Sequence, residues 1–322
     1  MPSVIPLFDS GFHLAGTLAY NVLIRSKNIM ISRFDHAVIA VRDLDEAIQR
    51  YRSLGFDVSP GGRHTGLGTY NAIIRFGLDY IELISVFDKT EAATRGSQGK
   101  ALIDFLEKRE SGLVGYALAT TDIQQDAERL RNTGLMAVGP FPMQRMRPDG
   151  HLLSWRLLVP EGVSWCRPWP FLIHWDVPDD QRLSWEKPGT HPNGVTGWVG
   201  IAIAVRDLES IIDLYQRQLG LTLSRRDTVP SLAARRVTFQ VNSSQIDLLM
   251  PLGNGPVQRA LEEVGEGPFE VRLAIRDLDQ TRTFLTQHGV SFEPVVADPA
   301  ALLLSPDQTT GTRLVLLAQH SL

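Results

Sequence analysis

Four stretches of this chain repeat one another, and that repeat constrains the fold more than any other feature. Each reads as an apolar run, an aspartate, an amphipathic stretch and a glycine: HAVIAVRDLDEAIQRYRSLGF from His36, YALATTDIQQDAERLRNTGL from Tyr116, IAIAVRDLESIIDLYQRQLGL from Ile201 and VRLAIRDLDQTRTFLTQHGV from Val271. The aspartates are Asp43, Asp122, Asp207 and Asp277, and the glycines Gly55, Gly134, Gly220 and Gly289 follow at 12, 12, 13 and 12 residues. An aspartate before a helix accepts from its free N–H groups. Glu46, Gln125 and Gln280 stand at the capping-box position, whereas Ser210 departs from it. Leu44, Ala47, Ile48 and Tyr51 fall on one helical stripe, as do Leu208, Ile211, Ile212 and Tyr215. A glycine then ends each helix in a left-handed conformation. Short strand-like runs follow, such as NAIIRF, YIELISV, SWRLLVP, RRVTFQV, QIDLLM and TRLVLLA. The unit is strand–helix–three strands, and the expected class is α+β.

Composition narrows the function. Of 322 residues, 43% are apolar and 21% charged, which a packed globular chain requires. The net charge of −4 and the absence of a basic block argue against nucleic acid and anionic membrane as partners. A single cysteine, Cys166, rules out an internal disulfide framework and a multi-cysteine zinc site. No apolar run reaches the ~18 residues of a membrane span. The repeat begins after Met30. Residues 1–29 read as an extension or a misassigned start, without the basic residues that precede a secretory h-region, so a cytoplasmic protein is expected.

The repeated unit resembles the βαβββ module of the vicinal oxygen chelate superfamily, the glyoxalase/bleomycin-resistance/extradiol-dioxygenase fold. In that fold two modules form a curved-sheet cup around a ligand. Four modules imply two tandem cups: residues 30–178 as the first domain, 179–194 as a Pro- and Trp-containing connector, and 195–322 as the second. GRHTGLGTYNAII, DYIELISV, PMQRMRPDGHLLSWRLLVPEG and PFLIHWD are similar to bacterial glyoxalase-like domain proteins. Those proteins often carry Pro and Trp where Thr65 and Leu67 stand, and an acid where His174 stands.

By that resemblance, ligands to a divalent metal (Zn, Mn, Fe or Ni) come from the first and last strands of each module. His36 and Glu82 take these places in the first module, as metal ligands or as acid and base. Aligning Asp122 on Asp43 sets Gly115 opposite His36, and aligning SWRLLV on YIELIS sets Arg156 opposite Glu82; glycine has no ligating atom and arginine cannot ligate a metal. In the second half Gly200, Asp247 and Arg313 occupy the corresponding places. Two readings follow: a metal centre, or Glu82–Arg156 and Asp247–Arg313 ion pairs in its stead. His64, Asn71, Arg147, Trp155, Arg156 and Trp175 complete the candidate ligand contacts. All six tryptophans lie between residues 155 and 198 and supply either a cavity wall or packing between cups.

The first cup is therefore expected to work and the second to be degenerate. The ligand is a small carbonyl- or carboxylate-bearing metabolite. The protein is then a lyase, isomerase or dioxygenase, or a binding and resistance protein without turnover. A scaffold for a homodimer is the third reading. No nucleophile elbow, phosphate-binding loop, dinucleotide fingerprint or H-E-x-x-H helix is present.

Overall fold

A computed structural model describes residues 31–147, 149–296 and 298–318. The extension at residues 1–29 lies outside the described residues, and so does His320. Sixteen strands form two sheets, with eight α-helices among the described residues. The first sheet holds β1 (Ile31–Val41), β2 (Ser59–Arg63), β3 (Thr69–Arg75), β4 (Tyr80–Val86), β5 (Ser111–Thr120), β6 (Ala137–Met146), β7 (Leu152–Pro160) and β8 (Phe171–Trp175). The second holds β9 (Val195–Ala204), β10 (Thr222–Val229), β11 (Ala234–Val241), β12 (Ser244–Pro251), β13 (Gly267–Ile275), β14 (Phe292–Val295), β15 (Asp298–Leu304) and β16 (Arg313–Ala318). Their orders are β2-β3-β4-β1-β5-β8-β7-β6 and β10-β11-β12-β9-β13-β16-β15-β14. Each order reads the same from either edge, so the protein is mixed α+β with two curved sheets, each forming a cup.

The repeated aspartates and glycines do what their chemistry predicts. Asp43, Asp122 and Asp277 accept from the backbone N–H three residues on, at α1 (Leu44–Ser53), α4 (Ile123–Asn132) and α8 (Leu278–Gln287). Between α1 and α4 lie α2 (Lys89–Ala93) and α3 (Gly96–Lys108); α5 (Asp179–Trp185) lies between the sheets. Asp207, whose capping box is imperfect, accepts two residues on instead, from Glu209 at α6 (Leu208–Asp213). A π-turn, Leu214–Gln218, follows α6 and absorbs the extra residue of the 13-residue spacing. The short α7 (Pro256–Glu263) precedes β13.

Strand alternation divides the burial. On β1, Ala37, Ile39 and Val41 enter a core shared by both halves, with Tyr51, Leu118, Ile201 and Leu273. His36, Val38 and Ala40 turn the other way, into the first cup, where Val38 and Ala40 join a separate apolar cluster with Leu102, Trp155 and Phe171. Phe34 stacks on Trp198 at 4.2 Å, joining the halves through that shared core.

The last strand of the second quarter of the chain is β8, not the SWRLLV strand. β5 pairs in parallel with β8, Ala117 opposite Phe171, as β1 pairs with β4, Val38 opposite Glu82. Phe171 therefore stands where Arg156 was expected. Arg156 lies on β7 and turns outward to Asp176 at 2.8 Å, so no Glu82–Arg156 pair forms. The Asp247–Arg313 pairing fails likewise. Asp247 meets Arg272 at 2.8 Å, and Arg313 meets Glu270 at 3.4 Å. A buried acid does take an arginine partner in the second cup, but from β13.

Candidate functional site

A cavity of about 600 Å³ opens inside the first cup. His36, His64, Asn71, Glu82, Trp155 and Trp175 all line it. Arg147 does not; it pairs with Asp149 at 2.7 Å and with Glu186 at 3.4 Å. Arg156, exposed beside Asp176, does not either. Arg156 fails by strand alternation, its neighbour Trp155 facing the cavity instead, whereas Arg147 lies just past the end of β6, the strand whose Arg145 faces the cavity.

β1 positions the centre of the site. Its pairing with β5 slips between Phe34 and His36, so Asp35 sits in a bulge. A bulge re-aims side chains that would otherwise point to opposite faces. Asp35 Oδ1 thereby lies 2.6 Å from His36 Nδ1. Burial alone would raise the Asp35 pKa, but the Arg33 guanidinium at 2.7 Å and the His36 hydrogen bond hold it well below the usual carboxylate range. Trp175 Nε1 donates to the other Asp35 oxygen at 2.9 Å. An ionised Asp35 accepts from His36 Nδ1, which leaves Nε2 facing the cavity, 3.6 Å from Glu82 Oε2. Tyr80 stacks on the imidazole at 4.6 Å and fixes its plane.

A second chain of hydrogen bonds orders the opposite side. Arg145 Nη1 donates to Asn71 Oδ1 at 2.8 Å, which sets the amide so that Asn71 Nδ2 donates to Glu82 Oε1. The same Nδ2 lies 3.2 Å from His64 Nε2, and His64 Nδ1 lies 2.9 Å from Thr69 Oγ1. Burial pushes the His64 pKa down to about 4, so this ring is neutral at pH 7 and accepts at Nε2. His64 and Arg145 are brought together by an isolated bridge between the sheet's two edges, which closes the cup.

The donor set falls short of a divalent-cation centre. His36 and Glu82 face one another, but the His64 and Glu82 atoms beside them are taken up by Asn71. The corresponding places on β5 and β8 hold Gly115 and Phe171, which offer no ligand atom. A Cβ on Gly115 would lie 2.7 Å from the Trp165 ring, which fills that space. Among the described residues no group of three or more His, Cys, Asp or Glu is arranged to hold a metal ion. The second cup is occupied by its own charges, Asp247 with Arg272 and Thr238, and Glu270 with Arg313.

Asp35, Tyr80 and Arg145 are the site residues that the sequence did not reveal. A bulge leaves no mark in residue pattern, and Arg145 is separated from Arg147 only by knowing that β6 ends between them.

The family model described as "Glyoxalase-like domain" matches residues 34–219. A second, "Glyoxalase/Bleomycin resistance protein/Dioxygenase superfamily", matches residues 200–301. No curated protein matches the chain. A hypothetical protein from Staphylococcus aureus is similar in structure, with a TM-score of 0.63 at 15% identity, over 88% of this chain and 98% of that one. A 4-hydroxymandelate synthase variant from Streptomyces coelicolor is similar with a TM-score of 0.63 at 13% identity, over 90% of this chain and 93% of that one. A methylmalonyl-CoA epimerase from Mycobacterium tuberculosis reaches 0.36 at 24% identity, over 39% of this chain and 89% of that one. At such identities the two likenesses at 0.63 concern the fold alone. No described helix is long and apolar enough to cross a membrane.

Proposed function

The chain belongs to the glyoxalase-like domain family, and from that premise we propose that its first cup binds a small carbonyl-bearing metabolite and interconverts it by proton transfer, as an isomerase or lyase does. The observation that carries this reading is the Asp35–His36–Glu82 array at the polar end of a mostly apolar cavity. His36 Nε2 takes a proton from the carbon next to the carbonyl, and the ionised Asp35 stabilises the imidazolium that results. Glu82, facing the same space, exchanges the second proton. The aromatic walls, Trp155, Trp175 and Phe171, exclude water and hold the carbon skeleton.

Deuterium exchange tests this directly. A panel of ketones and oxo acids is incubated with the protein in D2O, and loss of the C–H signal is followed by NMR. Protein-dependent exchange is expected for at least one compound. His36→Asn should reduce it by about 10²–10⁴-fold, the usual worth of a general base. Binding, read by tryptophan fluorescence, should persist in the variant. Compounds that bind without exchanging would instead favour the sequestration reading.

A further inference from the structure

The geometry points to an amphipathic carboxylate as the ligand of this cup, its head held by Arg145 and its apolar chain by the β6–β7 wall. This rests on the first cup being the binding site.

Arg145 lines the cavity yet is only 4% exposed. A guanidinium presents five N–H donors, and here one hydrogen bond is made, to Asn71 Oδ1. Arg145 Nε is buried without a partner. Its nearest carboxylate, Glu186, lies 3.8 Å away and is shared by three other arginines: Arg75 and Arg182 at 2.9 Å and Arg147 at 3.4 Å. Glu186 thus faces four guanidiniums, of which Arg147 also meets Asp149 at 2.7 Å and Arg182 meets Asp179 at 3.7 Å, and Arg145 holds the most distant share of Glu186. Glu82, the other acid at this end, is separated from Arg145 by the Asn71 amide, which accepts from the cation and donates to the anion. A buried cation so weakly matched is costly unless an anion joins it. Because Glu82 lies close by, a monoanion fits better than a phosphate dianion.

One wall of the rest of the cavity is of another kind. Arg95, Gln98 and Glu161 also line the cavity, while Val138, Phe141, Leu157 and Val159 give this wall an apolar surface, with Phe141 39% and Met136 55% exposed. Such a surface takes up hydrocarbon and gives nothing to a second polar group. The total volume lies within the ~300–1,000 Å³ of small-molecule sites. A carboxylate on Arg145 also brings its neighbouring carbon toward His36 and Glu82, which belong to the same polar end.

The test is calorimetric titration of the full chain at pH 7 with octanoate, octanamide and acetate. Octanoate should bind at least tenfold more tightly than either of the others. Arg145→Gln should erase the preference for octanoate over octanamide. Equal binding of octanoate and octanamide by the unaltered protein would overturn the carboxylate assignment, and that comparison holds even if the variant fails to fold. Acetate binding as tightly as octanoate would overturn the apolar chain. Deuterium exchange confined to neutral ketones, without an octanoate preference, would overturn this inference and leave the proton-transfer reading standing. An octanoate preference with no exchange on any compound would do the reverse.

Discussion

At the scale of single residues, two buried titratable groups set how the site responds to acid. Asp35 is ionised in the fold, held well below its ordinary pKa by Arg33 and His36 despite burial. A depressed carboxylate stabilises the fold above its unfolded value, near pH ~4, and this is lost as pH falls toward the folded value. Asp35→Asn at pH 7 should therefore cost about 3–5 kcal/mol, as when one partner of a buried pair is removed. Urea titrations of both proteins would check it; equal midpoints would contradict it. His64 works over a higher range. Its pKa drops from 6.5 to about 4 on burial, so between these values the unfolded chain binds a proton that the native one refuses. Stability should fall by about 3 kcal/mol as pH drops from 6.5 to 4. NMR titration of the imidazole should find His64 still neutral at pH 5.5; a midpoint near 6.5 would overturn this.

At the scale of elements, the sequence and the structure part company at one strand. The four repeat helices, α1, α4, α6 and α8, were legible because aspartate caps, apolar stripes and left-handed glycines are local, and even the 13-residue spacing reappears as a π-turn. His36 and Glu82 were legible as cavity-lining residues because the repeat fixes their strands, and His64, Asn71, Trp155 and Trp175 because they fall in the motif segments that carry the resemblance. The strand that closes the second quarter was not. β7 and β8 are both short apolar runs after the same glycine, and only pairing across the sheet distinguishes them, so Arg156 was set in the place of Phe171. The bulge that brings Asp35 to His36 is likewise a property of pairing. The glycines opposite His36 carry a prediction of their own. A Cβ on Gly200 would lie 2.3 Å from the Gln245 carbonyl oxygen of the adjacent strand, whereas at Gly115 it meets the Trp165 ring. Gly115→Ala should displace that ring and cost about 1–3 kcal/mol, the usual range for overpacking. Gly200→Ala should cost more, since the obstacle is backbone. Thermal melts of both variants would rank them, and the opposite order would refute the close approach of β9 and β12.

At the scale of the whole molecule, the two cups share a core. Phe34 of the first stacks on Trp198, and the Tyr116 and Tyr215 hydroxyls meet beside the Pro168 carbonyl. Tyr51 donates across to the Thr309 carbonyl at 3.1 Å. Unfolding should then be one transition, with tryptophan fluorescence, which reports on residues 155–198, coinciding with far-UV circular dichroism. Trp198→Ala should destabilise by about 3–5 kcal/mol, as for other large core truncations. Two separated transitions would show that the halves fold independently. The bridge between His64 and Arg145 has a consequence of a different sort. The edges of the first sheet are fastened where Arg145 stands, by the residue that would grip a bound acid. A vessel clasped by its own contents is held more firmly when full. A bound acid would brace the two edges, and amide exchange along that seam would slow as the cup fills.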